Sequence, residues 1–106
     1  MAIYHNVTGS TGVDVELIAP KSGVSDIKSI LITNTHATAD ATVTLFIEDN
    51  PTAAAASIYK ILSTVAIPSD TSLLLDNPSV INFDNSTYGL YLTVGSSDTL
   101  DVMINI

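Results

Sequence analysis

Few side chains in this sequence can carry chemistry. The two histidines, His5 and His36, stand 31 positions apart in different segments, and no cysteine is present. A thiolate nucleophile, a disulfide and any cysteine-ligated metal are thereby excluded. A zinc site needs three or four ligands, and a general base needs a nucleophile and an orienting group. Neither histidine has such neighbours in sequence. Zincin, P-loop, dinucleotide and nucleophile-elbow patterns are all missing. The nine aspartates and two glutamates supply carboxylates, and a glycosidase pair requires only spatial separation. Most of these aspartates sit in turn material, however, where Asx hydrogen bonds account for them locally. The pairs Asp49/Asn50, Asp76/Asn77, Asp84/Asn85 and Asp98/Asp101 offer oxygen ligands of the kind calcium prefers, yet none forms an EF-hand loop. The reading is a non-enzymatic protein with no cofactor and no metal.

Charge narrows the partners. Lys21, Lys28 and Lys60 are the only strongly basic residues, and the net charge is −8. Nucleic-acid binding requires clustered cations to displace phosphate counterions, so nucleic acid is not expected as a partner. No basic n-region with an apolar core opens the chain, and no stretch approaches the ~20 consecutive apolar residues of a membrane helix. Neither export nor a membrane partner is expected. The sequons Asn6-Val7-Thr8 and Asn85-Ser86-Thr87 are read as chance in a chain rich in Asn, Ser and Thr. At 106 residues the chain holds one core, and only 13% of it is charged, below the roughly 25–35% usual for the surface of a free-standing domain. Such a surface is either neutral and polar or covered by other protein.

The elements that would position these residues are strands. Ile, Val and Thr make up 34 of the residues, a β-branched weight typical of all-β proteins. Ala41, Val43, Leu45 and Ile47 alternate with Thr42, Thr44, Phe46 and Glu48, Leu90, Leu92 and Val94 with Gly89, Tyr91 and Thr93, and Leu100, Val102, Ile104 and Ile106 with a mixed side of Asp101, Met103 and Asn105. Each set would line a core. Further strands are expected around 13–18, 27–33, 57–67 and 72–75, with a short element at 80–83. Turn material separates them, including Pro20 to Gly23, Asn34 to Asp40 and Asp76 to Pro78. The expected fold is all-β, an antiparallel β-sandwich of seven to eight strands, Ig-like or a small jelly roll. Gly95 to Asp98 predicts a terminal hairpin, and the alanines of 52–56 read as a loop with one turn. Residues 1–12 form an N-terminal arm or a first strand, and 13–106 the sandwich domain. In the arm, Ile3, Tyr4 and Val7 could add to a neighbour's sheet edge.

Phe46 and Tyr91 are out of phase with the core positions, which places them on an outward face, with Met103 beside it. Aromatic outward faces serve protein contact or sugar binding; the absence of tryptophan favours protein contact. His36, on its polar turn, is a candidate loop contact.

The run from Ile30 to Asp49, followed by Ile58 to Leu62, Val65 to Pro68, Ser72 to Asp76, Asn82-Phe83-Asp84, Tyr88 to Thr93 and Asp101-Val102, resembles small virion structural proteins of tailed phages, especially cyanobacterial and marine ones. The resemblance covers roughly residues 24–106. It implies a subunit on the capsid exterior, a cement or decoration protein bound to the major capsid protein or other virion proteins and to copies of itself. A neck, tail or fibre component, or a carbohydrate- or receptor-binding sandwich, is the alternative. Ile30/Ile32 and Val43/Leu45 would then form core strands joined through the Asn34 to Asp40 tip.

Overall fold

Period-two alternation becomes two facing layers. The computed structural model describes residues 2–8, 14–49, 56–95 and 98–106. Its elements are β1 (Ala2–Thr8), β2 (Asp14–Ile18), β3 (Ser29–Asn34), β4 (Ala41–Glu48), β5 (Ile58–Ile67), β6 (Ser72–Leu75), α1 (Pro78–Ile81), β7 (Gly89–Val94) and β8 (Thr99–Asn105). One sheet, A, has the order β1-β8-β3-β6, and the other, B, the order β2-β7-β4-β5; every pairing is antiparallel. Ile30, Ile32, Leu100, Val102 and Ile104 of sheet A meet Val43, Leu45, Leu90, Leu92 and Val94 of sheet B in a buried core. Apolar inner faces of two antiparallel sheets bury one another in this way, leaving the alternate positions outward. The all-β sandwich expected from the sequence is the observed architecture, with eight strands among the described residues.

Three local expectations change. Gly95 to Asp98 does not close a hairpin: β7 belongs to sheet B and β8 to sheet A. Asp98 Oδ2 accepts hydrogen bonds from the amides of Gly95 and Thr42, so the short link turns from one layer into the other. The element expected at 80–83 is a single helical turn, α1, because Asn77 caps it and Pro78 supplies a first-turn φ. The strand expected from Ile27 begins at Ser29. Ile27 is paired instead by a side chain: Asn82 Oδ1 accepts from its amide at 2.6 Å and Nδ2 donates to its carbonyl at 2.9 Å. The arm-or-strand segment is, over Ala2–Thr8, the edge strand β1, in register with β8 from Ala2/Asn105 to Thr8/Thr99. The Gly9 to Gly12 tether, Val13 and the alanines 53–55 lie outside the described residues.

Consecutive strands share a sheet only at β4 and β5; every other link crosses between layers. Side chains brace these crossings. His5 Nε2 lies 2.8 Å from the Leu17 carbonyl, joining β1 to β2. Asn34, fully buried, donates through Nδ2 to the carbonyls of Ala39 and Ile67 and accepts the His36 amide on Oδ1, tying the end of β3 to the end of β5. Asn85 is a larger brace. Its Oδ1 accepts from Ser22 N, Ser22 Oγ and Val24 N, and its Nδ2 donates to the carbonyls of Ala19 and Tyr88. Buried polar groups persist only when paired, and both amides are. The second sequon therefore places its asparagine inside the fold, at 4% exposure.

Candidate interaction face

Several of the residues that could do chemistry hold local structure. His36 Nδ1 accepts the amides of Thr38 and Ala39, and its carbonyl accepts from Asp70 N, so the ring stiffens the β3–β4 turn. Asp84 accepts from Ser86 N and Oγ and from Thr87 Oγ1, and these bonds hold its carboxyl below the ordinary carboxylate range. Asp49 accepts from Ser57 N. Among the described residues, no three His, Asp or Glu side chains converge as a metal site.

Phe46 and Tyr91 do lie on an outward side, that of sheet B, as cross-strand partners. They are nevertheless only 5% and 3% exposed. Their rings stack with centroids 5.8 Å apart, and neighbouring side chains of the sheet cover them. Tyr91 Oη donates to Glu16 Oε2 at 3.1 Å, and Thr93 Oγ1 donates to Asp14 Oδ1 at 2.6 Å. Burial, then the Glu16 hydrogen bond and the charges of Glu16 and Glu48, push the Tyr91 phenol up to about 12. The hydroxyl fits because Gly89 lies beside it; a Cβ there would stand 2.9 Å from Tyr91 Oη and 2.7 Å from the Ile18 carbonyl. Glu48 is raised above its ordinary value by burial first, then by Asp14 and Asp49. This side of the molecule is thus largely acidic, with Tyr91 and Phe46 mostly covered, and Phe46 lines a cavity with Asp14, Thr44, Ile58, Lys60 and Thr93.

Met103 is on the opposite side, the outward face of sheet A, so the three residues expected to share a face do not. There the register makes a different constellation. Tyr4 of β1 pairs with Met103 of β8, Met103 with Leu31 of β3, and Leu31 with Leu74 of β6. Four apolar side chains therefore form one row across the whole sheet. Tyr4 is 71% exposed, Leu74 55% and Met103 38%, while Leu31 is half-buried between its neighbours. Beyond Leu74 the row runs into a cleft lined by Leu74, Leu75, Asp76, Asn77, Val80 and Ile81, with Val80 54% exposed.

Polar rows flank it and are bonded within themselves. On one side Asn6 Nδ2 donates to Asp101 Oδ1 at 2.7 Å, and the hydroxyls of Thr33 and Ser72 meet at 2.8 Å. On the other, Asn105 Nδ2 donates to Ser29 Oγ at 3.0 Å. Cross-strand pairs of this kind hold a sheet surface in one shape. Of the arm residues, Val7 is buried and Ile3 packs partly against the core, so Tyr4 alone of the three points outward.

Leu31, Leu74 and Val80 were not expected on a surface. A signal for two of them existed: Ile30-Leu31-Ile32 and Leu73-Leu74-Leu75 are unbroken apolar triplets, which put an apolar residue on both sides of a strand. Elsewhere, Ile58 and Tyr59 at the start of edge strand β5 are exposed, and Tyr59 meets Tyr88 edge-on at 5.8 Å.

No protein-family model and no curated protein matches this chain.

Proposed function

We propose that the protein is a non-enzymatic virion structural subunit of a tailed phage, a cement or decoration protein on the capsid exterior that binds the major capsid protein or its neighbours. The observation that carries this reading is the apolar row Tyr4–Met103–Leu31–Leu74 across an outward sheet face. Water-exposed apolar side chains set in an ordered polar frame are the anatomy of a protein contact: an apolar centre and a hydrogen-bonded rim. A cement role needs a rigid body and a surface of this type repeated in many copies, so that weak contacts add.

The wiring supports the finer fold reading. Sheets ordered β1-β8-β3-β6 and β2-β7-β4-β5 follow the two interleaved Greek keys of a jelly roll, an architecture used by viral capsid and lectin domains. Fold alone selects no function. The sugar-binding alternative drew on loop tips or an outward aromatic face, and the two aromatics expected on that face, Phe46 and Tyr91, are covered, which favours the contact reading.

Particles carrying the genome that encodes this chain provide the test. Mass spectrometry of purified virions, with a density map, is expected to find the protein on capsomers in hundreds of copies. A ring or fibre at the portal would move the assignment to a neck or tail component, and absence from the particle would overturn it.

A further inference from the structure

We infer that the outward face of sheet A binds a second copy of the same chain, face to face, about a two-fold axis that runs parallel to the strands between β8 and β3. The inference rests on the proposed function and assigns its contact face to a second copy, so that attachment to the capsid protein falls to the rest of the surface.

Charge is the first argument. The chain carries −8, so two copies repel unless they meet where charge is scarce. In the strands of sheet A, Asp101 is the only Asp, Glu, Lys or Arg, and it is hydrogen-bonded to Asn6. The strands of sheet B carry Asp14, Glu16, Glu48 and Lys60. Opposing two sheet-B faces would set carboxylate against carboxylate, where Glu48 already lies beside Asp14 and Asp49 and is raised by burial first and then by those charges. Sheet A is the side where self-contact meets least repulsion.

Shape is the second. The row is asymmetric: a tall Tyr4 at the β1 edge and the Leu74–Val80 cleft at the β6 edge. Rotation about an axis parallel to the strands and midway between β8 and β3 lays each Tyr4 over the other copy's Leu74 and cleft, and Met103 over the other copy's Leu31. The contact is isologous, with each end of the row complementing the other. The tyrosine hydroxyl then reaches the polar rim of the cleft at Asp76 and Asn77. In the flanking row the same rotation sets Asp101 opposite Thr33 of the copy, a hydroxyl donor, and Asn6 opposite Ser72.

Area sets the strength. Strands of 7, 7, 6 and 4 residues at ~4.8 Å spacing and ~3.4 Å per residue give a footprint of roughly 400 Å² per copy. That is about half of the ~800 Å² per partner of a stable complex, so the isolated pair is weak. Neighbouring copies held on a common shell would consolidate it.

Sedimentation velocity from about 10 µM to about 1 mM, the range in which a weak pair forms, tests the inference. The wild type is expected to pass from monomer to dimer, and more completely at high salt, because screening removes repulsion between like-charged copies. Leu74→Glu, at an exposed site, should weaken association more than about 10-fold, since each substitution is met twice in the dimer. Lys60→Gln makes the same change in net charge on sheet B and should weaken association far less. The native chain has no cysteine, which allows a direct test of the axis. A variant carrying both Asn6→Cys and Ser72→Cys should be joined into covalent dimers by a short bis-maleimide, across sheet faces ~10 Å apart, while either single variant should not. A wild type that stays monomeric at the highest concentration, association that falls with salt, equal loss in Lys60→Gln, or cross-linking by a single variant each overturns the inference. A monomer that is nevertheless found on capsids removes this pairing and leaves the proposed function; a dimer absent from virions does the reverse.

Discussion

Removing the Asn85 side chain should unfasten the whole end of the sandwich where the β2–β3 and β6–β7 loops meet. Its carboxamide makes five hydrogen bonds, accepting at 3.1, 3.0 and 2.9 Å from Ser22 N, Ser22 Oγ and Val24 N and donating at 3.0 Å to both Ala19 and Tyr88 carbonyls. A net ~1 kcal/mol for each bond would total about 5 kcal/mol. Ser22 is exposed, so its two groups regain water in the variant, and about 3 kcal/mol is expected for Asn85→Ala. For a domain of this size that lowers Tm by about 15 °C. Asn85→Asp is more diagnostic. It retains the acceptor but turns a carboxylate oxygen toward two carbonyls, so the folded state should hold its proton above the ordinary aspartate value of about 3.9. A group raised in the folded state costs stability as pH climbs through that value and upward. The variant should therefore be as unstable as Asn85→Ala at neutral pH and recover part of the loss on acidification, relative to wild type at the same pH. Urea melts followed by circular dichroism and tyrosine fluorescence measure both at pH near 7 and near 4. An Asn85→Ala loss below about 0.5 kcal/mol, the range of an ordinary surface substitution, would refute the brace.

Three further outcomes follow from the acidic side of the sandwich. In a spectrophotometric titration, the Tyr91 phenol should ionise last, near 12, and Tyr91→Phe should delete that phase. Because its proton is held more tightly folded than unfolded, stability should fall from about pH 10 upward; titration of every tyrosine together near 10 would contradict this. Glu48→Gln should stabilise the protein by about 0.5 kcal/mol at neutral pH, the scale of a like-charge neighbour on a sheet. The raised Glu48 is disfavoured as pH rises through and above 4.5, so the gain should vanish at pH below that value, as thermal melts at two pH values would reveal. Gly89→Ala should cost about 3 kcal/mol, because the new methyl meets the Ile18 carbonyl, Pro20 Cδ and Tyr91 Oη all within 2.9 Å; an unchanged urea midpoint would mean that the backbone yields.

The layers were legible because alternation is a local property. Val43/Leu45, Leu90/Leu92 and Leu100/Val102/Ile104 each point inward by parity alone, and all are buried. Parity also marked Phe46 and Tyr91 as outward, and it was right about their side of the sheet. It could not show that they cover each other across β4 and β7, since that depends on which strands become neighbours. The asparagines were harder still. Asn85 reads as a turn residue and Asn82 as part of the short 80–83 element, yet they bind backbone 63 and 55 positions away, and an asparagine looks the same in sequence whether its side chain serves its own segment or another.

Composition and periodicity by themselves determined an all-β chain with no thiol chemistry, an acidic balance and a surface short of charge. Sheet membership was decided by tertiary structure, because an alternating strand fits either layer equally well until its edge partners are set. That is why the Gly95 to Asp98 link crosses between sheets where a hairpin was expected. The apolar face was decided there too. Tyr4, Leu31, Leu74 and Met103 are scattered along the chain, each unremarkable alone, and they become one row only when β1, β8, β3 and β6 lie side by side in this register.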